Sequence, residues 1–260
     1  MRFLVSLLLL LVPILGVWTF VDAGNHAWWF PENVTDIGDE IDWLFYFIAW
    51  MVAITFIGTE VLLAWFFLKY SRRREDKGVF SHGSHKLEMI WTFIPAVLLV
   101  VIAFVQMSAW KQMKFRSSFP DGTYSIENPI ADVWASQFDW RFQYPGPDGQ
   151  IGTMDDVENA FEFVVPVGVD VVFNLRSRDV LHSFFVPNFR LKQDAVPGQT
   201  IPVWFNARET GTYDLICAEL CGWGHYKMAG RVKVVTQDEY DTWLADLEQS
   251  WQTNGMEDLQ

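Results

Sequence analysis

Two long apolar stretches joined by a short basic loop constrain this 260-residue chain more than any other feature. The first runs from Trp43 to about Lys69 and the second from Leu87 to about Trp110. Each exceeds the roughly 20 residues that cross a bilayer core. Trp43, Phe45 and Tyr46 open the first, Tyr70 closes it, and Trp91 and Trp110 flank the second, as rings at headgroup level do. Between them Ser71-Arg72-Arg73-Arg74-Glu75-Asp76-Lys77 leads on to Lys86, and its clustered basic residues mark the loop 71–86 as cytoplasmic. Both outer ends of this two-helix hairpin then face out. An earlier apolar run, Phe3 to about Phe20, follows Arg2 and precedes Val21-Asp22-Ala23, a small-x-small cleavage pattern. Residues 1–23 read as a signal peptide cut after Ala23, or as an uncleaved anchor, since the run is long. Glu60 lies inside the first span. It reads as a proton-path or ion-site residue, or as a hydrogen-bonded carboxyl at a helix contact. Either role needs a neighbouring membrane subunit.

Charge divides the chain at the same place. Residues 1–118 hold 10 basic and 10 acidic side chains, whereas residues 119–260 hold 9 and 22 and carry the whole net charge of −13. Nucleic acid is excluded as a partner. With 51% apolar and 20% charged residues, so are disorder and an ordinary highly charged soluble domain.

From Phe138 the aromatics alternate through Trp140, Phe142 and Tyr144, a half-buried strand. Residues 161–175 read as two strands broken at Pro166-Val-Gly168, and further short strands are expected at 182–186, 201–206, 212–216 and 230–235. Such spacing predicts an all-β sandwich or barrel over 119–236. Thr236-Gln-Asp-Glu239 is a capping box, and Tyr240, Trp243, Leu244, Leu247 and Trp251 recur at helical spacing, so 237–260 should form an amphipathic helix and tail. The loop at 145–156 contains Asp148, Asp155 and Asp156 among glycines. It could wrap calcium through oxygens, or be an ordinary solvated turn.

The chemistry lies in Cys217-Ala-Glu219-Leu-Cys221-Gly-Trp-Gly-His225-Tyr-Lys-Met228, with His182 35 residues upstream of the first cysteine. Thiolate, thioether and imidazole together select copper. A single blue-copper site needs one Cys, two His and a weak axial ligand, and here there is a second thiolate. Two bridging thiolates would hold two copper ions, each with one His and one weak ligand, Met228 for one and the Glu219 carbonyl for the other. The alternatives are a Cys217–Cys221 disulfide, which leaves His225 and Met228 unexplained, and structural zinc, which does not favour methionine. No C-x-x-C-H haem attachment motif is present.

With these motifs the chain resembles subunit II of haem–copper cytochrome c oxidases. Asp179-Val-Leu-His182-Ser, Lys192-Gln-Asp194-Ala-Val-Pro-Gly198, the cysteine loop and Leu87-Glu88-Met-Ile-Trp91-Thr-Phe-Ile-Pro95 carry the likeness, which covers nearly all the chain from about residue 40. The resemblance implies a membrane α hairpin of two transmembrane helices (residues 24–118) bearing a Greek-key cupredoxin domain with a dinuclear copper A centre. Its ligands would be His182, Cys217, Glu219 (carbonyl), Cys221, His225 and Met228. The Glu219 carboxylate would reach a magnesium or manganese ion shared with the catalytic subunit, and Glu88 would stand at the mouth of a proton path. The implied role is to take electrons from cytochrome c or a similar donor and pass them to the haem of subunit I, for oxygen reduction coupled to proton pumping. The implied location is a bacterial inner membrane, multi-pass, with the copper domain on the periplasmic side. Where the family places an electron-accepting tryptophan, this chain has Phe138, followed by Asp139 and Trp140. Phe138 and Trp140 are therefore both candidates for the accepting ring. Two other readings are a membrane-tethered copper carrier outside any oxidase, in which Glu88 and Glu60 have no purpose, and a quinol-oxidase subunit, which would lack the copper ligands.

Overall fold

The structure is a computed structural model that describes residues 2–257 other than Ala27, residues 71–79 and Ser81. It divides into two compact units, Met1–Trp29 with Asp42–Met107, and Phe30–Ile41 with Ser108–Gln260.

The first unit is helical. Helices α1 (Arg2–Asn25), α2 (Asp36–Tyr70) and α3 (His85–Val105) are each long and apolar enough to cross a membrane. The sequence predicts two spans; among the described residues there are three, because the segment expected as a signal peptide is itself helical. No residue of α3 is buried by protein. An apolar helix exposed on every side is matched to lipid rather than to water. The spans also differ at their ends. Helix α2 starts at Asp36 rather than near Trp43, with Asp36 and Asp39 in its first turn, where the helix dipole favours carboxylates. Helix α3 stops at Val105, and Trp110 falls on a separate short helix α4 (Met107–Lys114). Most of the basic loop lies outside the described residues.

The second unit is a sandwich of two five-stranded sheets. Its strands are β1 (Asp132–Ser136), β2 (Asp139–Tyr144), β3 (Val157–Ala160), β4 (Glu162–Pro166), β5 (Asp170–Ser177), β6 (His182–Val186), β7 (Leu191–Ala195), β8 (Ile201–Asn206), β9 (Gly211–Cys217) and β10 (Ala229–Val235). One sheet has the order β3-β2-β1-β5-β8 and the other β4-β10-β9-β6-β7. Two parallel pairings, β1 with β5 and β4 with β10, interrupt the antiparallel ladders, so the chain crosses between the sheets rather than meandering. Between the sheets Phe163 stacks on Phe142 at 5.1 Å and meets Phe173 edge-on at 5.2 Å. The buried Tyr144 hydroxyl donates to the Val164 carbonyl (2.9 Å) and accepts from the Val164 amide (2.7 Å), so this core phenol leaves no polar atom unpaired.

The capping box forms as expected. The Thr236 amide donates to Glu239 Oε2 (2.9 Å) and the Glu239 amide to Thr236 Oγ1 (3.3 Å), which starts α5 (Gln237–Glu257). Tyr240, Trp243, Leu244 and Leu247 pack on the sandwich, and Trp243 meets Tyr144 edge-on at 5.0 Å. Trp251 does not join them and stays exposed. The segment before α2 also belongs to this unit. Thr35 bridges to Ala207, and Arg208 donates to Asp39 at 2.8 Å.

Candidate metal centre

β9 and β10 are antiparallel neighbours, and their last pairing, Ile216 with Ala229, closes a loop that carries every cysteine of the chain. Two backbone hydrogen bonds fix the loop's ends, Cys217 N–H to the Met228 carbonyl and Ala218 N–H to the Ser183 carbonyl, both 3.1 Å. The second ties the loop to β6, whose first residue is His182. Strand pairing therefore brings His182 to a loop that is distant in sequence.

Six donor groups converge there. The Sγ atoms of Cys217 and Cys221 lie 3.9 Å apart, unbonded, and both thiols are free. Cys217 Sγ is 3.9 Å from His182 Nδ1 and 3.3 Å from the Glu219 carbonyl oxygen. Cys221 Sγ is 3.5 Å from His225 Nδ1 and 3.8 Å from Met228 Sδ. His182, Cys217, Cys221 and Met228 are buried, and His225 is half-buried. Each thiol thus has an imidazole nitrogen and one weaker donor beside it. Among the described residues, His182, Cys217 and Cys221 form the one His/Cys/acidic group whose ligand atoms all lie close enough together to hold a metal ion. Soft sulfur with imidazole fits copper, and two sulfurs between two imidazoles fit a pair of ions.

Asp179 orients the site. Its Oδ1 lies 2.8 Å from His182 Nε2, which turns Nδ1 toward the sulfurs and fixes the proton on the outer nitrogen. Burial works against the Asp179 charge, but hydrogen bonds from His182 and from the Gln137 and Val180 amides outweigh it and hold the carboxyl below its usual range. The two thiols ionise unequally. For Cys217, burial opposes ionisation, yet hydrogen bonding with His182 and the surrounding backbone brings it to about 6. For Cys221, burial and the neighbouring Cys217 thiolate raise it to about 11. A cation between the sulfurs would cancel that repulsion and let both serve as thiolates.

The remaining predicted residues fall elsewhere. Trp140 is wholly buried, with its ring 6.4 Å from that of His182 and 5.7 Å from Phe184. This corrects its candidacy as an electron-accepting ring, since it cannot touch a docked donor. The alternation on which that candidacy rested fails because β2 begins at Asp139, leaving Phe138 in the preceding turn. Phe138 lies instead against the metal loop. A Cβ added to Gly224 would come within 2.4 Å of its ring, and one added to Gly222, at φ +139°, within 3.1 Å. Glu88 sits in the first turn of α3, 3.5 Å from His85 Nδ1, and Glu60 on α2, both in the helical unit. The acidic turn gives no support to calcium, because its carboxylates serve the turn's own donors. Asp155 accepts from the Asp148 amide (3.1 Å), and Asp156 accepts from the Gly152 amide (2.7 Å) and Gln143 Nε2 (2.6 Å). Two residues at the site were not legible from spacing. Gln137 Nε2 donates to the Cys221 carbonyl, and Trp223 projects from the loop's outer side with 83% of its surface exposed.

Residues 131–235 match the family described as cytochrome C oxidase subunit II, periplasmic domain, and residues 23–108 match its transmembrane domain. The alternative cytochrome c oxidase subunit 2 of Bradyrhizobium diazoefficiens is 29% identical, over 92% of this chain and 90% of its own length. Cytochrome c oxidase subunit 2 of Cereibacter sphaeroides is 31% identical, over 83% of this chain and 78% of its own. The crystal structure of the periplasmic domain of subunit II from Bradyrhizobium japonicum aligns with 27% identity and a TM-score of 0.41, covering 46% of this chain and 93% of that one.

Proposed function

The chain belongs to the cytochrome c oxidase subunit II family, and on that premise we propose that it accepts electrons at a dinuclear copper A centre for a haem-bearing catalytic partner. It is a subunit of an enzyme, with apolar helices that anchor it in a membrane and a β-sandwich domain. The observation that carries the proposal is the pair of thiols 3.9 Å apart, each with an imidazole Nδ1 within 3.9 Å. His182, Cys217, the Glu219 carbonyl, Cys221, His225 and Met228 would hold the copper pair. When bound, the pair takes up and releases one electron. The residues keep that change small. His182 is locked by Asp179, and the loop ends are pinned to each other and to β6, so the ligands have little room to move. The buried ligands also exclude water, which suits a relay rather than oxygen chemistry, and the latter falls to subunit I. The half-buried Glu219 carboxylate would be offered to a magnesium or manganese ion at the subunit boundary, and Glu88 to a proton path.

Electron paramagnetic resonance of the purified, copper-replete oxidase tests the centre. Hyperfine splitting from two equivalent coppers sharing one unpaired electron is the expected result, and the pattern of a single copper would overturn it. Met228→Leu should leave copper bound but shift the reduction potential of the centre, because a thioether is a weak axial ligand whose loss changes electron density more than it changes occupancy. A redox titration followed by the copper absorbance checks this, and an unchanged midpoint would remove Met228 from the ligand set.

The membrane arrangement proposed is a bacterial inner membrane with residues 71–86 in the cytoplasm, the β-sandwich in the periplasm and residues 1–23 removed as a leader. Protease added outside spheroplasts should digest the sandwich and spare Arg72–Arg74. Cleavage at those arginines from outside would reverse the topology.

A further inference from the structure

We propose that Trp223 is the ring that receives electrons from the donor, and that the donor docks on it as a basic, reduced c-type cytochrome. This deepens the oxidase reading and rests on it.

Three large apolar side chains of the metal loop are left in the open. Leu220, Trp223 and Tyr226 are 77%, 83% and 75% exposed. Exposing an indole to this extent forgoes the large apolar burial that tryptophan normally provides. An open tryptophan beside a metal site is therefore a contact surface awaiting a partner, and tryptophan is over-represented among the residues that dominate binding energy. Trp223 stands two residues from Cys221 and two from His225, so its backbone runs straight into a proposed ligand on either side. Tyr226 shares that proximity and exposure, but Lys227 Nζ lies over its ring at 5.4 Å, a cation that works against a basic donor at that ring. Trp140 is wholly buried, and Phe138 lies against the loop.

Phe138 has a different task. Its ring fills the space that Cβ atoms at Gly222 and Gly224 would need, and it meets the Trp223 indole edge-on at 5.4 Å. The two glycines let the loop descend onto the phenyl ring, and the phenyl ring props the indole outward. Phe138 is thus a positioning residue, and the indole is the group that touches the donor.

The occupant follows from charge. The domain that carries the loop holds 22 acidic and 9 basic residues, which attracts a basic protein over distance and repels an acidic one. In the transfer itself the donor's reduced haem loses one electron and the copper pair gains it. No bond is made or broken, and Trp223 ends unchanged.

The test uses the whole purified oxidase and two probes. One is basic cytochrome c with zinc in place of haem iron, which docks without transferring electrons in the dark. The other is reduced cytochrome c in stopped flow. Trp223→Ala should weaken binding of the zinc protein by roughly 10- to 100-fold, the range of a lost anchor residue, and slow reduction of the copper centre at least as much. Its copper resonance should stay native. Trp223→Phe should recover part of the binding. Phe138→Ala should instead alter the copper resonance, because the loop loses its support. Native binding and native reduction rates in Trp223→Ala would overturn the proposal. So would loss of the catalytic subunit from Trp223→Ala oxidase, since the indole would then face that subunit. If the native oxidase itself takes no electrons from reduced cytochrome c, the function proposed above fails, and this inference falls with it.

Discussion

Replacing Cys221 by serine is expected to abolish the two-copper resonance and lower bound copper from two ions per chain to one or none. The Cys221 sulfur is 3.9 Å from Cys217 Sγ, 3.5 Å from His225 Nδ1 and 3.8 Å from Met228 Sδ, so it links three of the other donors. A serine hydroxyl is shorter, harder and effectively never ionised at neutral pH, so it cannot bridge two soft cations. Cys217 would remain as the one thiolate, beside His182, His225, Met228 and the Glu219 carbonyl, and a single thiolate can at most retain a single ion. The domain should still fold, because Cys221 lies outside every strand and its removal leaves a small polar group in a loop. Copper analysis with electron paramagnetic resonance on the purified oxidase checks both halves. Turnover should fall by about 100-fold or more, since no electron path to the catalytic subunit remains. Two coppers and a mixed-valence spectrum in Cys221→Ser would show that Cys221 is no bridge.

That this expectation could be framed from sequence has a physical reason. Most of the donor groups sit within one short loop, where chain connectivity alone keeps them together, and only His182 had to be brought in by strand pairing. Strands β6 and β8 match their predicted bounds because apolar runs and turn residues frame them clearly. Strands β1, β3 and β7 were not legible. Leu191-Lys-Gln-Asp-Ala195 has apolar residues only at its ends, and Val157-Glu-Asn-Ala160 buries a single side chain well, so neither shows a period of two. β1 is held by a parallel partner, β5, and its segment mixes Asp132 and Ser136 with Trp134.

The helical unit and the rim of the site show a second limit. Hydropathy marks Phe3–Asn25 equally well as leader or as span, so the number of spans rests on cleavage rather than on folding. Phe138 and Trp140 look equivalent in an alternating run, yet Phe138 lies in a turn and Trp140 on the strand that follows it, and one supports the loop while the other is core. The signal that could have found Trp223 is an aromatic residue between two glycines in a ligand loop. A large ring there has no neighbouring side chain to bury it.

Phe163→Ala is expected to be the most damaging substitution that touches no proposed ligand. Phe163 is fully buried and meets Phe142, Phe173, Phe184, Tyr144 and Phe205 at centroid distances of 5.1 to 6.4 Å. It sits on β4 in one sheet, while Phe142 and Phe173 belong to the other, so its ring joins the two layers. Removing it should cost about 3–5 kcal/mol, a transfer loss plus a cavity that five aromatic neighbours cannot close. A domain of ordinary stability has about 5–15 kcal/mol to lose. The damage also reaches the metal site, because Phe184 packs on Trp140, and Trp140 lies beside His182. Copper should counteract it by mass action, since ions held by the folded ligand set stabilise that state by about 1.4 kcal/mol for each tenfold excess over the dissociation constant. Denaturant unfolding of the full chain in detergent, followed by tryptophan fluorescence, should therefore show a large drop in midpoint without copper and partial recovery with it. A drop below about 1 kcal/mol would mean that the sheets are joined elsewhere. An undiminished deficit on adding copper would mean that the ligand loop does not fold together with the sandwich that positions it.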